Sequence, residues 1–180
     1  MPITSIHGDV TTYFAPRDTP AMVILAAVQN AQHSIRIADY GYTLKLLTQA
    51  LIDAKTRGVD VYCIFDHTQA HGHAEQAQLD ALTAAGVDWI EGTSEQHRAI
   101  MHQKSMMVDA ETVIYGSYNF SEGAAFEANT CSVTHGRRYA AGFLANWYEM
   151  FAYIWQEEGE MTPHPITQPV PEATVEASAA

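Results

Sequence analysis

Apolar residues recur along this chain with two periods, one typical of helices and the other typical of strands. Helical spacing is clearest in residues 44–54, and that run ends at Arg57-Gly58, a usual helix stop. Residues 59–65 are mostly apolar, as expected for a strand that is buried on both faces. Applied along the chain, the two patterns predict strands over 10–14, 35–40, 59–65, 87–90 and 129–134, and helices over 20–32, 44–54, 73–85 and 138–157.

The order of these elements sets the expected architecture. Helices alternate with strands, which favours an α/β fold built as a layered sheet. Residues 159–180 contain four prolines among Glu, Thr, Ser and Ala, so we expect a disordered tail after one domain over residues 1–158. No apolar run is long enough to span a membrane, and no stable membrane insertion is expected. Residues 1–9 lack the basic and apolar segments of a secretory signal, and the location of the protein stays open.

Two further strand-like runs flank a predicted turn. Residues 105–108 lead into the turn and residues 112–115 lead away from it, which predicts a β-hairpin. If residues 109–112 form a four-residue loop, Val108 lies opposite Val113. A slip of one residue would turn the side chains of one strand to the other face, so this register is a hypothesis that the strand pairing tests directly.

Polar side chains cluster around this hairpin. Because side chains alternate between faces, the register places His102 opposite Asn119 and Lys104 opposite Ser117, on one patch. Asp109, seven residues after His102, falls on the opposite face by the same count, and we assign it a role in the turn or in an ion pair. The patch would combine an imidazole nucleophile, a cation and two neutral hydrogen-bonding groups, a set that suits a phosphate diester.

The spacing of these residues resembles the signature of the phospholipase D superfamily. That signature is His-x-Lys, four residues, Asp, six residues and Gly-Ser-x-Asn, and the stretch from His102 through Gly116 to Asn119 fits every spacing. The resemblance extends from residues 13–16 to the helix near Trp155 and is particularly to the short, single-motif bacterial nucleases. It implies a layered α/β sheet with helices on both faces.

The resemblance also implies a mechanism and a homodimer. This chain has a single copy of the motif, since no other histidine is followed by a lysine two residues on. A homodimer would bring two copies of His102 together near a two-fold axis. One His102 is then expected to attack phosphorus and form a phosphohistidine, while its mate protonates the leaving group. Lys104, Ser117 and Asn119 would stabilise the phosphoryl oxygens, and no metal ion or cofactor is expected.

One acidic residue of the family pattern is displaced in this chain. Family members carry a Glu-Asn pair about three residues further beyond the Asn of the motif than Glu127 stands here. Glu127, followed by Ala128 and Asn129, is the nearest candidate for this acid. In that role it would hold the far ring nitrogen of His102 and fix its tautomer.

The charge restricts how a polyanionic substrate can bind. Nine basic residues stand against twenty-one acidic residues, a formal net charge of −12 at pH 7, which excludes a generally attractive surface for nucleic acid. Nucleic-acid binding must therefore depend on a local basic site. The candidates for that site, besides the motif lysine, are Arg98, Arg137 and Arg138.

Three functions follow from the resemblance. A nuclease acting on DNA or RNA is the leading interpretation, and a phospholipase or cardiolipin hydrolase is the alternative. A third is a non-catalytic relative that binds nucleic acid or a protein partner, although the intact His102, Lys104 and Asn119 argue against it. A serine hydrolase built from Ser117, His102 and Asp109 is disfavoured because no Gly-x-Ser-x-Gly motif is present.

A histidine cluster offers a separate, metal-binding interpretation. His67, His71 and His73 follow a predicted strand, and imidazole is a common zinc ligand. The cluster lacks acidic or cysteine companions in the sequence, Asp66 excepted, and a polar loop explains it more simply. We therefore expect no metal there, although the loop follows the carboxyl end of a strand and could border a substrate cleft.

Overall fold

The strand-like runs of the sequence form one mixed sheet. The computed structural model describes residues 2–4, 9–95 and 99–157, so the predicted tail and Arg98 lie outside the described residues. Its strands are β1 (Ile3–Thr4), β2 (Val10–Ala15), β3 (Ser34–Asp39), β4 (Asp60–Asp66), β5 (Asp88–Gly92), β6 (Lys104–Val108), β7 (Thr112–Gly116) and β8 (Asn129–His135). Their order across the sheet is β1-β2-β8-β7-β6-β3-β4-β5. Only β3, β4 and β5 pair in parallel among these described strands.

The helices confirm most of the pattern-based predictions. They are α1 (Pro20–Asn30), α2 (Lys45–Thr56), α3 (His67–Ala70), α4 (His73–Ala84) and α5 (Arg137–Glu157), with a 3-10 helix over Gly123–Phe126. The predicted bounds agree with the longer helices to within two residues. The short helix α3, the 3-10 helix and the two-residue strand β1 were not predicted, because such short elements carry too few apolar positions to show a period. Among the described residues, no helix is long and apolar enough to cross a membrane.

Helices cover both faces of the sheet, as the fold class predicted. One core lies between the sheet and α1, α2 and α4, and it includes Leu47 and Leu79, which are fully buried. The other core lies beneath α5, where Trp147 and Phe151 stack at 5.2 Å between ring centroids. The Trp147 indole N–H donates to the Ile37 carbonyl at 2.8 Å, which satisfies the polar atom of a buried ring and fixes α5 against β3.

The strand directions bring several chain segments together at one end of the sheet. The parallel strands β3, β4 and β5 finish there, β6 begins there and β7 ends there. We call this the site end, and it is defined by Asp39, Asp66, Gly92, Lys104 and Gly116. Residues from five strands can therefore contribute side chains to one place.

The predicted hairpin exists, but its predicted register is wrong by one residue. Val108 pairs with Thr112 rather than with Val113, so the loop has three residues instead of four. Asp109 and Ala110 both adopt positive φ angles, of 54° and 52°. Two consecutive left-handed residues close a tighter turn than the one assumed, and they shift the returning strand by one position.

Asp109 fixes this turn to the neighbouring strand. Its carboxylate accepts backbone N–H groups from residues 32, 33 and 34 at 2.7–2.9 Å, immediately before and at the start of β3. Burial opposes ionisation, but these three hydrogen bonds outweigh it and lower the pKa of Asp109. The motif aspartate therefore sits at the turn end of the sheet, the end opposite the site end.

Candidate active site

His102 stands exposed at the site end, just before β6. The preceding residue, Met101, is buried and donates its backbone N–H to Asp66 Oδ2 at 2.8 Å. This hydrogen bond holds the segment before β6 against the end of β4. The His102 ring packs edge-on against Tyr40, with the ring centroids 4.6 Å apart. An accessible imidazole held by its neighbours on one side can meet a substrate on the other.

Lys104 lies on the same face of β6, but it is buried. It is 7% exposed, its Nζ donates to the His102 carbonyl at 3.0 Å, and Nζ lies 4.6 Å from the centroid of the Tyr40 ring. Burial lowers the pKa of Lys104, while Asp39 and Asp66 act in the opposite direction. A buried ammonium group is costly unless anions compensate it, and a bound phosphate group would supply one.

Asp39 is the carboxyl group directly across from Lys104. The two residues pair between β3 and β6, and Asp39 is fully buried. Its Oδ2 accepts the Phe120 backbone N–H at 3.1 Å, while its Oδ1 has no hydrogen-bond partner among the described residues. Burial raises the pKa of Asp39 well above its ordinary value, against the hydrogen bond from Phe120. Asp39 therefore joins β3 and β6 to the segment that carries Asn119.

Tyr40 links both motif residues to α3. Its backbone N–H donates to the Gln103 carbonyl at 2.9 Å, and its hydroxyl accepts from Gln69 Nε2 at 3.1 Å. The Tyr40 hydroxyl is thus held by Gln69, while one face of the Tyr40 ring lies against the Lys104 ammonium group. Sequence reasoning missed Tyr40 and Gln69, because no spacing rule connects them to a motif more than thirty residues away.

Asn119 reaches the site by a different route from the one predicted. In the observed register Lys104 lies opposite Gly116, so Asn119 is not a cross-strand partner of His102. Asn119 instead follows the end of β7 and packs on Gly41. A Cβ atom at position 41 would lie 3.5 Å from Asn119 Cγ. Its Oδ1 is buried and has no hydrogen-bond partner among the described residues. A buried amide oxygen without a partner, one residue before the Phe120 N–H that Asp39 accepts, is a candidate ligand contact.

Ser117 is engaged away from Lys104. Strand β7 ends at Gly116, and the Thr130 carbonyl then accepts hydrogen bonds from the backbone N–H groups of Ser117 and Tyr118. The Ser117 hydroxyl donates to Asn129 Oδ1 at 3.0 Å and accepts the Thr130 N–H at 3.0 Å. The predicted placement of Ser117 opposite Lys104 is wrong for the same reason as the register, and its hydroxyl fixes the start of β8 instead.

Glu127 shares this local network. Its Oε2 accepts from Asn129 Nδ2 at 3.1 Å, and the side chain is exposed. Among the described contacts, none joins Glu127 to His102. The structure thus connects Glu127 through Asn129 to Ser117, and it does not place this acid in the predicted role of orienting the His102 ring within one subunit.

The predicted substrate-binding arginines are not brought to His102. Arg137 and Arg138 begin α5 directly after Gly136, whose N–H donates to the Glu111 carbonyl in the hairpin turn. They therefore lie at the turn end, roughly 15 Å or more from Lys104 along β6. Within one subunit these two candidates for the basic site are therefore separated from Lys104, because β8 carries the chain back to the turn end before α5 begins.

The geometry assembles an exposed imidazole, a buried ammonium group and an unsatisfied amide at one edge. The imidazole can attack a tetrahedral anionic group, the ammonium group can neutralise its charge, and the amide can orient it through a hydrogen bond. The serine-hydrolase alternative fails geometrically, since Ser117 is hydrogen-bonded to β8 and Asp109 lies at the turn end.

Comparison with known proteins agrees with the motif. The family described as "Cardiolipin synthase, PLD-like domain" matches residues 24–155. Proteins named phospholipase D are 30% identical over 149 residues in Rickettsia prowazekii and 32% identical over 145 residues in Rickettsia bellii. These matches cover 79% and 78% of this chain and 67% and 68% of the relatives.

Two solved structures share the fold. Nuc from Salmonella typhimurium, described as a phospholipase D family member, is 29% identical and superposes with a TM-score of 0.72, covering 80% of this chain and 94% of Nuc. NucT from Helicobacter pylori superposes with a TM-score of 0.73 at 18% identity, covering 80% of this chain and 96% of NucT.

Proposed function

Because the chain belongs to the phospholipase D superfamily, we propose that it is a metal-independent phosphodiesterase that hydrolyses nucleic acid as a homodimer. The single observation that carries this proposal is the exposed His102 ring held by Tyr40 beside the buried Lys104. Family membership supports phosphodiesterase chemistry in general, and the nucleic-acid substrate is the finer part of the proposal.

The first step uses His102 as a nucleophile. A neutral His102 nitrogen attacks phosphorus, the bond from phosphorus to the leaving oxygen breaks, and the His102 of the second subunit gives its proton to that oxygen. The product is a phosphohistidine and one released alcohol. Lys104 from each subunit neutralises the phosphoryl oxygens, and the Asn119 amide hydrogen-bonds to them.

The second step regenerates the enzyme. The second His102, now neutral, takes a proton from water while the water oxygen attacks phosphorus and the phosphorus–nitrogen bond breaks. The phosphate monoester leaves, and both imidazoles return to their starting protonation states. Ser117 and Glu127 position the segment before β8 through Asn129. No step requires a metal ion.

The homodimer follows from the single motif. The chemistry needs two imidazoles at one phosphorus, and each chain supplies one His-x-Lys sequence. Three large apolar side chains near the site end are exposed, namely Leu46 at 63%, Ile100 at 43% and Phe126 at 85%. An isologous contact through this end would cover such side chains and bring the two His102 rings together.

Two observations favour a lipid substrate as the second candidate. The matching family is described by cardiolipin synthase, and the Rickettsia relatives are named phospholipase D. Nucleic acid remains the first choice because the sequence resembles the single-motif bacterial nucleases, and the chain spans nearly all of Nuc. The net charge of −12 disfavours DNA and anionic membranes alike, so it does not separate the two.

The test is cleavage by the purified protein in the presence of a chelator. Plasmid DNA, single-stranded DNA, RNA and phospholipid vesicles are the substrates, and His102→Ala is compared with His33→Ala, a variant of an exposed histidine at the turn end. We expect nucleic-acid cleavage that His102→Ala abolishes and His33→Ala retains. Cleavage of vesicles alone would establish the lipid candidate, and near-normal turnover by His102→Ala would refute the mechanism.

A further inference from the structure

Three side chains with metal-binding atoms converge beside β4 and β5. His67 Nδ1 and His71 Nε2 each lie 3.3 Å from Glu91 Oε1. The two histidines are four residues apart around α3, a spacing that places both imidazoles on one side. Glu91 comes from β5, where it pairs with Phe65 at the end of β4. The sequence alone did not show this acidic companion, because it lies twenty residues beyond the histidines.

The two distances from the histidine nitrogens to Glu91 Oε1 match the separation of ligands around one zinc ion. Two ligands about 2.0–2.1 Å from a tetrahedral zinc lie about 3.3–3.4 Å apart. The ligand atoms of His67, His71 and Glu91 all lie within 4.8 Å of one another. His67 Nδ1 and Glu91 Oε1 are buried, and neither has a hydrogen-bond partner among the described residues. Buried polar atoms that converge without satisfying each other point to a missing partner between them.

Glu91 lies among other buried acidic side chains. Glu91 and Glu75 are each 3% exposed and Asp66 is fully buried. The carboxyl groups of Asp66 and Glu91 lie near enough to act on Glu75 electrostatically. Buried carboxylates are stable when they are paired or bound to a metal ion, so a divalent cation is the ligand that this pocket favours. The His67 and His71 side chains, 32% and 58% exposed, leave a path for its entry.

We propose that His67, His71 and Glu91 bind one zinc ion, with a fourth position open to water. Two imidazoles and one carboxylate form a donor set that suits zinc. The ion takes no part in the hydrolysis at His102. It fixes α3 to β5, and α3 carries Gln69, the hydrogen-bond partner of Tyr40. The site therefore stabilises the segment that supports the ring beside His102.

Titration of metal-free protein with zinc tests the site. The His102→Ala variant is used throughout, so that neither zinc binding at the active-site imidazole nor a failure of the proposed hydrolysis affects the result. Calorimetry is expected to give one zinc per chain. The melting temperature is expected to rise by about 5–10 °C when free zinc is a hundredfold above Kd. Cobalt bound in the same place should show the visible absorption of a tetrahedral site.

Three further substitutions in that background decide the ligand assignment. His71→Ala and Glu91→Gln should each weaken zinc binding roughly a hundredfold. His73→Ala, which alters an exposed histidine at the start of α4, should bind as its parent does. Because the His71 side chain is 58% exposed, its replacement should leave the core intact. Absence of zinc binding in the parent, or zinc binding by His71→Ala and Glu91→Gln as tight as that of the parent, would overturn the proposal.

Discussion

Tyr40 is one of the residues that connect the motif to the rest of the fold. Its ring contacts both the His102 ring and the Lys104 ammonium group, and its hydroxyl reaches Gln69 on α3. A cation over an aromatic face is stabilised by the ring quadrupole, which compensates part of the cost of burying Lys104. Tyr40 therefore acts as a positioning residue for both groups of the proposed reaction.

Two substitutions at Tyr40 should distinguish the contribution of the aromatic ring to kcat from that of the hydroxyl group. Tyr40→Phe keeps the ring against His102 and Lys104, and kcat should stay within about threefold of the original value. Tyr40→Leu removes the aromatic face, and we expect kcat to fall roughly 2- to 30-fold relative to Tyr40→Phe. Steady-state kinetics with melting temperatures provides the measurement. Equal kcat in the two variants would show that the ring has no such role.

Glu75 should make the stability of the fold depend on pH. Burial, together with Asp66 and Glu91, raises the pKa of Glu75 from 4.5 to about 8, against a hydrogen bond from Tyr42. Between these values the folded protein holds a proton that the unfolded chain has lost. The stabilisation is therefore complete below pH 4.5 and is lost as the pH rises to about 8, with a slope of at most about 1.4 kcal/mol per pH unit.

Denaturant unfolding at several pH values in chelator would measure this slope. Glu75→Gln retains an acceptor for the Tyr42 N–H but has no proton to lose, so its free energy of unfolding should depend less on pH over that range. Glu111→Gln, at an exposed position in the hairpin turn, is the matched control and should follow the original protein. An unchanged slope in Glu75→Gln would assign the pH dependence to other groups.

At the residue scale, sequence reasoning found the groups that a motif spaces locally. His102, Lys104 and Asn119 lie within eighteen positions of one another, and the structure brings all three to the site end. Asp39 could not be found in this way, because it reaches Lys104 through pairing between β3 and β6. Glu91 was missed for the same reason. Strand pairing at long sequence separation has no signature in a single chain.

At the element scale, the β6–β7 hairpin shows why the predicted register failed. The hydrophobic pattern located both strands, but the loop length depends on the backbone conformations of Asp109 and Ala110. Residues other than glycine rarely adopt positive φ, so the residue types in this turn do not indicate a tight three-residue loop. Gly116, fixed by the motif, ends β7 and turns the chain so that Asn119 reaches the site despite the shift.

Any side chain at position 116 should lower the stability of the fold. A Cβ atom there would lie only 2.2 Å from the Thr130 carbonyl oxygen, so β7 and β8 would have to separate. Gly116→Ala should therefore lower the free energy of unfolding by about 1–3 kcal/mol. Gly142→Ala is the matched control, because that glycine lies within α5 and a Cβ atom there meets nothing within 4 Å.

The two glycine variants should change stability in opposite directions. Alanine favours helix over glycine by up to about 1 kcal/mol, so Gly142→Ala should be more stable than the original protein. Urea unfolding of the three proteins provides the comparison. A Gly116→Ala variant as stable as the original would show that β7 and β8 adjust freely at this position.

At the scale of the whole molecule, the site end is half of a proposed active site. Exposed His102 and the apolar side chains of Leu46, Ile100 and Phe126 lie at this end, whereas Arg137 and Arg138 lie at the other. A contact between two site ends would therefore bury apolar surface and join two imidazoles, without placing those two arginines at the interface. In such an arrangement, each active site contains residues from both subunits.

Subunit mixing should reveal this sharing. If each site needs His102 from both chains, an equal mixture of the original protein and His102→Ala, after full exchange, contains active dimers in only about a quarter of its population. At constant total protein, activity should fall to about a quarter. Chains that act independently would retain about half. A mixture with His33→Ala should keep full activity, which controls for damage during exchange. Retention of half the activity after exchange would refute a shared site, because a dimer with one imidazole at its axis cannot both attack phosphorus and protonate the leaving oxygen.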